Sequence, residues 1–182
     1  MPFSRFFKRR RFDDAANALY LALVEQSRQP VFYRDLGVAD TLEGRYDMII
    51  LHAYLLFRRL GKLEGEDARA VSQQTFDFMF TDMDQNLREM GVTDMGVGKR
   101  VQRMAEAFYG RTAAYDKALG EEGRALQHAL GRNLYQGAAV PPEVEDRMAA
   151  YVRAQIAHLE GQGEAAMLAG TISFIQPQAL AQ

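Results

Sequence analysis

Residues 48–57 read MIILHAYLLF, the longest apolar run in a chain of 182 residues, with Asp47 before it and Arg58 after it. Ten positions fall far short of the roughly 20 that a helix needs to span a bilayer. Upstream, Asp40 and Glu43 make a capping-box-like pair three residues apart, and downstream Gly61 offers a left-handed stop after Leu60. The stretch therefore reads as one helix from Asp40 to Leu60. It is apolar on every side over its middle, so it needs neighbours on most sides. That requirement predicts a single all-α domain of about six to seven helices around a central apolar helix.

The flanking sequence supplies those neighbours. Residues 14–27 form a first helix with Asp13 as N-cap, stopped before Pro30 because the residue before a proline avoids the α region. A loop, RQPVFYRDLGVA, joins it to the central helix. A third helix covers about Asp67–Met90 and ends at Gly91, with Phe76, Met79, Phe80, Met83, Leu87 and Met90 in one stripe of 3- and 4-residue steps. A fourth starts near Asp94, carries Val97, Val101, Met104, Phe108 and Tyr109, and is expected to run to Leu119 with a bend at Gly110. A fifth spans about Glu121–Tyr135. A sixth opens at Pro141 and Pro142, where proline loses no needed hydrogen bond. A short helical turn and an irregular tail follow. The expected organisation is a basic, aromatic N-terminal tail (1–12), one helical domain (13–175) and a flexible C-terminus (176–182).

Charge is unevenly spread. Residues 1–11, MPFSRFFKRRR, hold Arg5, Lys8, Arg9, Arg10 and Arg11 and no acid, so the other 171 residues carry 17 bases against 24 acids. An acidic body argues against a nucleic-acid-binding domain as a whole, and DNA is not an expected partner. The tail interleaves its bases with Phe3, Phe6 and Phe7, a pattern suited to an anionic membrane surface. It equally suits RNA, or a solvated terminus. No apolar segment of secretory type follows the charges. The absence of cysteine removes disulfides, thiolate zinc sites and cysteine nucleophiles.

The stretch FTDMDQNLREMGVTDMGVGKRVQRM, residues 80–104, has the most site-like composition. Asp82, Asp84 and Asn86 mimic positions 1, 3 and 5 of a calcium loop, but Leu87 and Thr93 stand where glycine and a bidentate glutamate belong. On a helix Asp82 and Asp84 point about 200° apart. Asp84 instead suits an ion pair with Arg88 four residues on. Gly98-Lys99 resembles the end of a phosphate loop, but Thr93 replaces its first glycine and Arg100 its hydroxyl. His52, His128 and His158 share no metal spacing, and His52, inside the apolar run, reads as a core histidine that must find partners. No catalytic residue, metal or cofactor is expected. What remains is a helical hairpin whose Lys99, Arg100 and Arg103 form a basic edge beside an acidic one, with Met95 the methionine most readily exposed.

The segments YRDLGVADTLEGRYDMIILHAYLLFRRL and FDFMFTDMDQNLREMGVTDMGVGKRVQRMAEAFYGRTAAYDKAL resemble the bacterial branch of the ubiquinol–cytochrome c chaperone family over about residues 30–120. The Asp-Met-Asp run, LREMGV, GVGKRV, FYGR and Tyr115 carry the likeness. The resemblance implies a non-enzymatic assembly factor for the cytochrome bc1 complex, binding newly made cytochrome b or another subunit. It makes Asp82, Asp84, Arg88, Gly91, Lys99, Arg100 and Arg103 candidates for partner contact, with Met95 as an apolar contact beside them. It implies a cytoplasmic protein, peripheral at the inner face of the membrane, with the Phe/Arg tail touching anionic lipid. A ribosome- or RNA-associated helical module is the alternative.

Overall fold

The structure, a computed structural model, describes the backbone of residues 3–177 and the side chains of residues 12–177. Among the described residues the chain forms eight helices and no strand: α1 (Phe3–Ser27), α2 (Pro30–Arg34), α3 (Leu42–Leu60), α4 (Glu66–Glu89), α5 (Asp94–Leu119), α6 (Ala125–Asn133), α7 (Pro142–Glu160) and α8 (Glu164–Leu168). Six are substantial and two, α2 and α8, are single turns of five residues. No helix among them is long and apolar enough to cross a membrane.

Helix α3 divides the interior. Met48, Leu51, Tyr54 and Leu55 face a core shared with α2, α6, α7 and the C-terminal half of α5. Ile50, Ala53, Leu56 and Leu60 face a second core shared with α1, α4 and α8. At 100° per residue these two sets point to opposite sides of the helix. A helix that is apolar all round is thus satisfied by being sandwiched, as the run at 48–57 requires. Each Leu, Ile or Met so buried contributes about 1.5–3 kcal/mol. Helix α1 packs on α4 and α3, α7 packs on α3 and α6, and α5 bridges α4 and α6.

The details depart from the sequence expectations in instructive ways. Helix α1 does not begin after Asp13 but runs from Phe3, because residues 3–12 contain no proline or glycine to interrupt it. Phe12, assigned to the tail, is buried in the second core. The side chains of Phe3, Arg5, Phe6, Phe7, Lys8, Arg9, Arg10 and Arg11 lie outside the described residues, as do residues 178–182. The expected loop at 28–39 contains α2 and buries Val31, Phe32, Leu36 and Val38, so it is a core element. The N-cap of α3 is Thr41, whose hydroxyl accepts from the Gly44 amide at 3.1 Å. Asp40 instead pairs with Arg45 at 2.7 Å. Gly61 ends α3 with φ −66°, not left-handed. Helix α5 continues through Gly110 to Leu119.

Gly44 marks the tightest crossing. A Cβ there would lie 2.0 Å from the Ala39 carbonyl oxygen, a backbone atom next to the buried Val38, so the chain itself would have to shift. Gly44→Ala is therefore expected to destabilise the fold by about 2 kcal/mol or more. Urea denaturation, read as a drop in midpoint at unchanged slope, checks this.

Candidate functional site

The features that looked chemical in the sequence, His52 and the 80–104 hairpin, have distinct fates. His52 is sealed inside, 0% exposed. Its Nδ1–H donates to the Met48 carbonyl at 2.9 Å, and its Nε2 accepts from the Tyr151 hydroxyl at 2.8 Å. Gln26 Nε2 donates to the same hydroxyl at 2.9 Å. Phe32 and Phe174 meet the imidazole edge-on, at 5.4 and 5.6 Å. Both ring nitrogens are occupied and burial pushes the imidazole down to about 4, so it is neutral. This histidine joins α1, α3 and α7; it offers no accessible base. No group of three or more acids and histidines capable of holding a metal occurs among the described residues.

Asp47 is likewise internal. Arg111 approaches it at 2.8 Å and Gln136 Nε2 donates to it at 2.7 Å. Burial lifts its carboxyl above the ordinary range, against the pull of Gln136 and Arg111. The pair ties α3 to α5 and to the loop after α6.

The hairpin of α4 and α5 is where the expected contact residues gather. Gly91, at φ +80°, closes α4 in a Schellman motif: its amide donates to Arg88 at 2.9 Å and the Val92 amide to Leu87 at 3.1 Å. Arg88 then bridges the turn, pairing with Asp84 at 2.5 Å and with Asp94 at the start of α5. Asp82 accepts from the buried Tyr20 hydroxyl at 2.7 Å and so fastens α4 to α1; burial, and then this bond, push the phenol up. Asp82, Asp84 and Arg88 thus have partners inside the chain. Lys99 and Arg100 are exposed and form no ion pair among the described residues. Arg103 is exposed too and reaches only the Lys99 carbonyl, at 3.4 Å. Met95 is 83% exposed and Met90 55%. The hairpin tip therefore presents two bare methionines beside three bases without acidic partners.

A second surface was not legible as such. Between α3, α4 and α5 lies a groove of about 760 Å³, walled by Phe57, Leu63, Phe76, Phe108 and Tyr109 and rimmed by Glu64, Arg69 and Gln73. Phe76 is its hub, 5.9 Å from Phe57, 5.8 Å from Phe108 and stacked on Tyr109 at 6.0 Å. The helical stripe on α4 predicts these rings as core. In the structure Met79 and Met83 take the buried edge, while Phe76 and Phe80 remain half-exposed. The adjacent Phe108-Tyr109 pair, which points to both sides of a helix edge, was the available signal.

The model of the family described as ubiquinol-cytochrome C chaperone matches residues 34–174, from the end of α2 past α8. The chain belongs to that family. The match takes in the hairpin and the groove and leaves out α1 entirely. A crystal structure described as the Cbp3 homolog from Brucella abortus superposes with a TM-score of 0.83 at 34% identity, covering 98% of each chain. The ubiquinol-cytochrome c reductase complex assembly factor 1 of Homo sapiens is 27% identical over 161 residues, 88% of this chain and 54% of the human protein. The mitochondrial protein CBP3 of Saccharomyces cerevisiae is 24% identical over 149 residues, 80% of this chain and 44% of the yeast protein. The chain thus spans about half the length of these two relatives.

Two measurements test the assignments of His52 and the hairpin. An imidazole held at about 4 against an ordinary 6.5 binds its proton less readily folded than unfolded. Its neutral state costs nothing above pH 6.5, and stability falls by about 3 kcal/mol as pH drops from 6.5 to 4. Asp47, raised by burial, works in the opposite sense. His52→Gln is expected to flatten the urea midpoint's dependence on pH in that window, although the variant is weaker at neutral pH. At the hairpin, Gly91→Ala is expected to cost about 1 kcal/mol because its φ is left-handed. Gly98→Ala, helical with open space around it, is expected to gain about 0.5–1 kcal/mol. Thermal melts should show these opposite signs.

Proposed function

We propose that this family member is a non-enzymatic assembly chaperone for the cytochrome bc1 complex, which binds or stabilises newly made cytochrome b at the membrane surface. The observation that carries the proposal is alignment over 80–88% of the chain with proteins named as assembly factors of ubiquinol-cytochrome c reductase or as CBP3. The physical character of the surface supports it. Exposed methionines adapt to varied apolar side chains, because their unbranched thioethers repack at little cost. Met90 and Met95, with the aromatic groove, give an apolar client two adaptable faces. Lys99, Arg100 and Arg103 add charges that steer an acidic segment or an anionic headgroup layer.

In this proposal Met95, Lys99, Arg100 and Arg103 make the contact, whereas Asp82, Asp84 and Arg88 hold the hairpin in the shape that presents them. The basic N-terminal stretch from Arg5 to Arg11, with Phe3, Phe6 and Phe7, adds attraction to anionic lipid, and the protein works peripherally at the inner face of the cytoplasmic membrane.

The test is affinity capture from solubilised membranes with cytochrome b quantified. The unaltered chain is expected to enrich it. Charge reversal by Lys99→Glu, Arg100→Glu and Arg103→Glu is expected to lower the yield about tenfold. The melting temperature should hold, since exposed substitutions rarely move stability by more than about 0.5 kcal/mol. No enrichment by the unaltered chain overturns the proposal. Equal capture by the charge-reversed variant removes the hairpin from it. Co-sedimentation with ribosomes, lost on deleting residues 1–11 and unaccompanied by cytochrome b, supports the ribosome-associated alternative.

A further inference from the structure

Helix α7 carries Gln155, and Gln162 follows in the turn just past its end at Glu160; each spends both ends of its carboxamide on one residue of the extended segment 171–177. Gln162 Nε2 donates to the Ser173 carbonyl at 2.7 Å while its Oε1 accepts from the Ser173 amide at 2.9 Å. Gln155 Nε2 donates to the Ile175 carbonyl at 2.7 Å while its Oε1 accepts from the Ile175 amide at 3.0 Å. Gln26 of α1 gives that carbonyl a second donor at 2.9 Å. Alternate residues of an extended chain are thereby bonded as an adjacent strand would bond them, yet the partner is a helix. The residues between, Ile172 and Phe174, pack where the two cores meet and touch both.

This is the chemistry by which a protein holds a peptide: main-chain bonds that ignore sequence, and alternate side chains that read it. The polar side chains demand little, since Thr171, Ser173 and Gln176 are exposed, with Ser173 Oγ meeting His158 Nε2 at 3.0 Å. Ile172 and Phe174 are half-buried, unlike Met148, Tyr151, Val152 and Leu159, by which α7 itself is anchored. The segment can therefore leave without taking α7 with it. Leaving would strand the wholly buried Gln155 without its main-chain partners, so the face favours a replacement peptide over an empty site. Gly170, at φ +83° against Ala15 of α1, is where the segment turns onto this face.

We propose that this face of α7 is a docking site for an extended peptide with apolar residues at alternate positions. The chain's own residues 171–177 fill it at rest, and an exposed apolar segment of the client takes their place. The identity of the displacing segment as client rests on the chaperone proposal; the site itself does not. Because the resident segment is tethered, it competes at an effective concentration on the order of millimolar, and outside peptides bind the unaltered chain weakly.

The experiment uses the full chain and a fluorescent peptide of residues 170–177, GTISFIQP, followed by anisotropy. The variant Ile172→Ser with Phe174→Ser loosens the resident segment and leaves α7 intact. It is expected to bind the peptide at least about tenfold more tightly than the unaltered chain. Adding Gln155→Ala and Gln162→Ala is expected to abolish the gain, and a peptide carrying I172D and F174D should not bind. Equal, weak binding by the loosened variant and the unaltered chain overturns the proposal, as does equal binding of the aspartate peptide. If the loosened variant does not melt cooperatively, amide exchange in the unaltered chain decides. Exchange at Ile175 about tenfold or more faster than in the middle of α7 supports a segment that detaches, and exchange together with α7 overturns it. Neither readout involves cytochrome b, so failure of the capture experiment and failure here are separable.

Discussion

Everything in this fold follows from a helix with no polar side. Between Met48 and Leu60, α3 presents apolar residues to opposite directions, and water is a poor neighbour for either. Burying both faces demands a layer of helices on each side, which produces two cores rather than one. The polar groups trapped between those layers must then be satisfied locally. His52 takes the Met48 carbonyl and the Tyr151 hydroxyl, and Asp47 takes Arg111 and Gln136. Each such bond also fixes how a neighbouring helix sits on α3.

The hairpin of α4 and α5 extends beyond the reach of that sandwich. From Asp84 to Arg103 only Val97 is buried, and order comes from local devices: the Schellman turn at Gly91 and the Arg88 bridge. Exposed ion pairs contribute little each, so this end is held by turn geometry more than by energy. The sandwich thus carries a weakly buttressed tip on which Met90 and Met95 are bare. The groove between α3, α4 and α5 continues the same logic, because Phe57 and Phe76 stay half-covered there and Tyr109 is exposed.

The C-terminal segment solves a different problem. Where the two cores meet, Ile172 and Phe174 pack against both from an extended chain. Extended backbone brings unpaired amides and carbonyls to a partly buried place. Two glutamines satisfy them, since a carboxamide carries a donor and an acceptor side by side, matched to the amide and carbonyl of one extended residue.

Most of the long helices were legible in the sequence because they depend on local spacing and on signals such as the stop at Gly91 and the proline start at Pro142, whereas α2 and the first turns of α1 were not. The central place of α3 was legible too, because a helix apolar on all sides has few other options. The family likeness was legible through a composite run of charged, glycine and aromatic residues. What sequence left open was which members of an apolar stripe are sealed and which stay at an edge: Met79 and Phe76 look alike by spacing, yet one is core and the other lines a groove. Nor did spacing separate Asp82, tied to Tyr20 sixty-two residues away, from Lys99, tied to nothing acidic. Local periodicity says that a side chain faces inward or outward from its own helix. Only the packing of helices distant in sequence decides how far a neighbour covers it, and so which residues are left over for a partner.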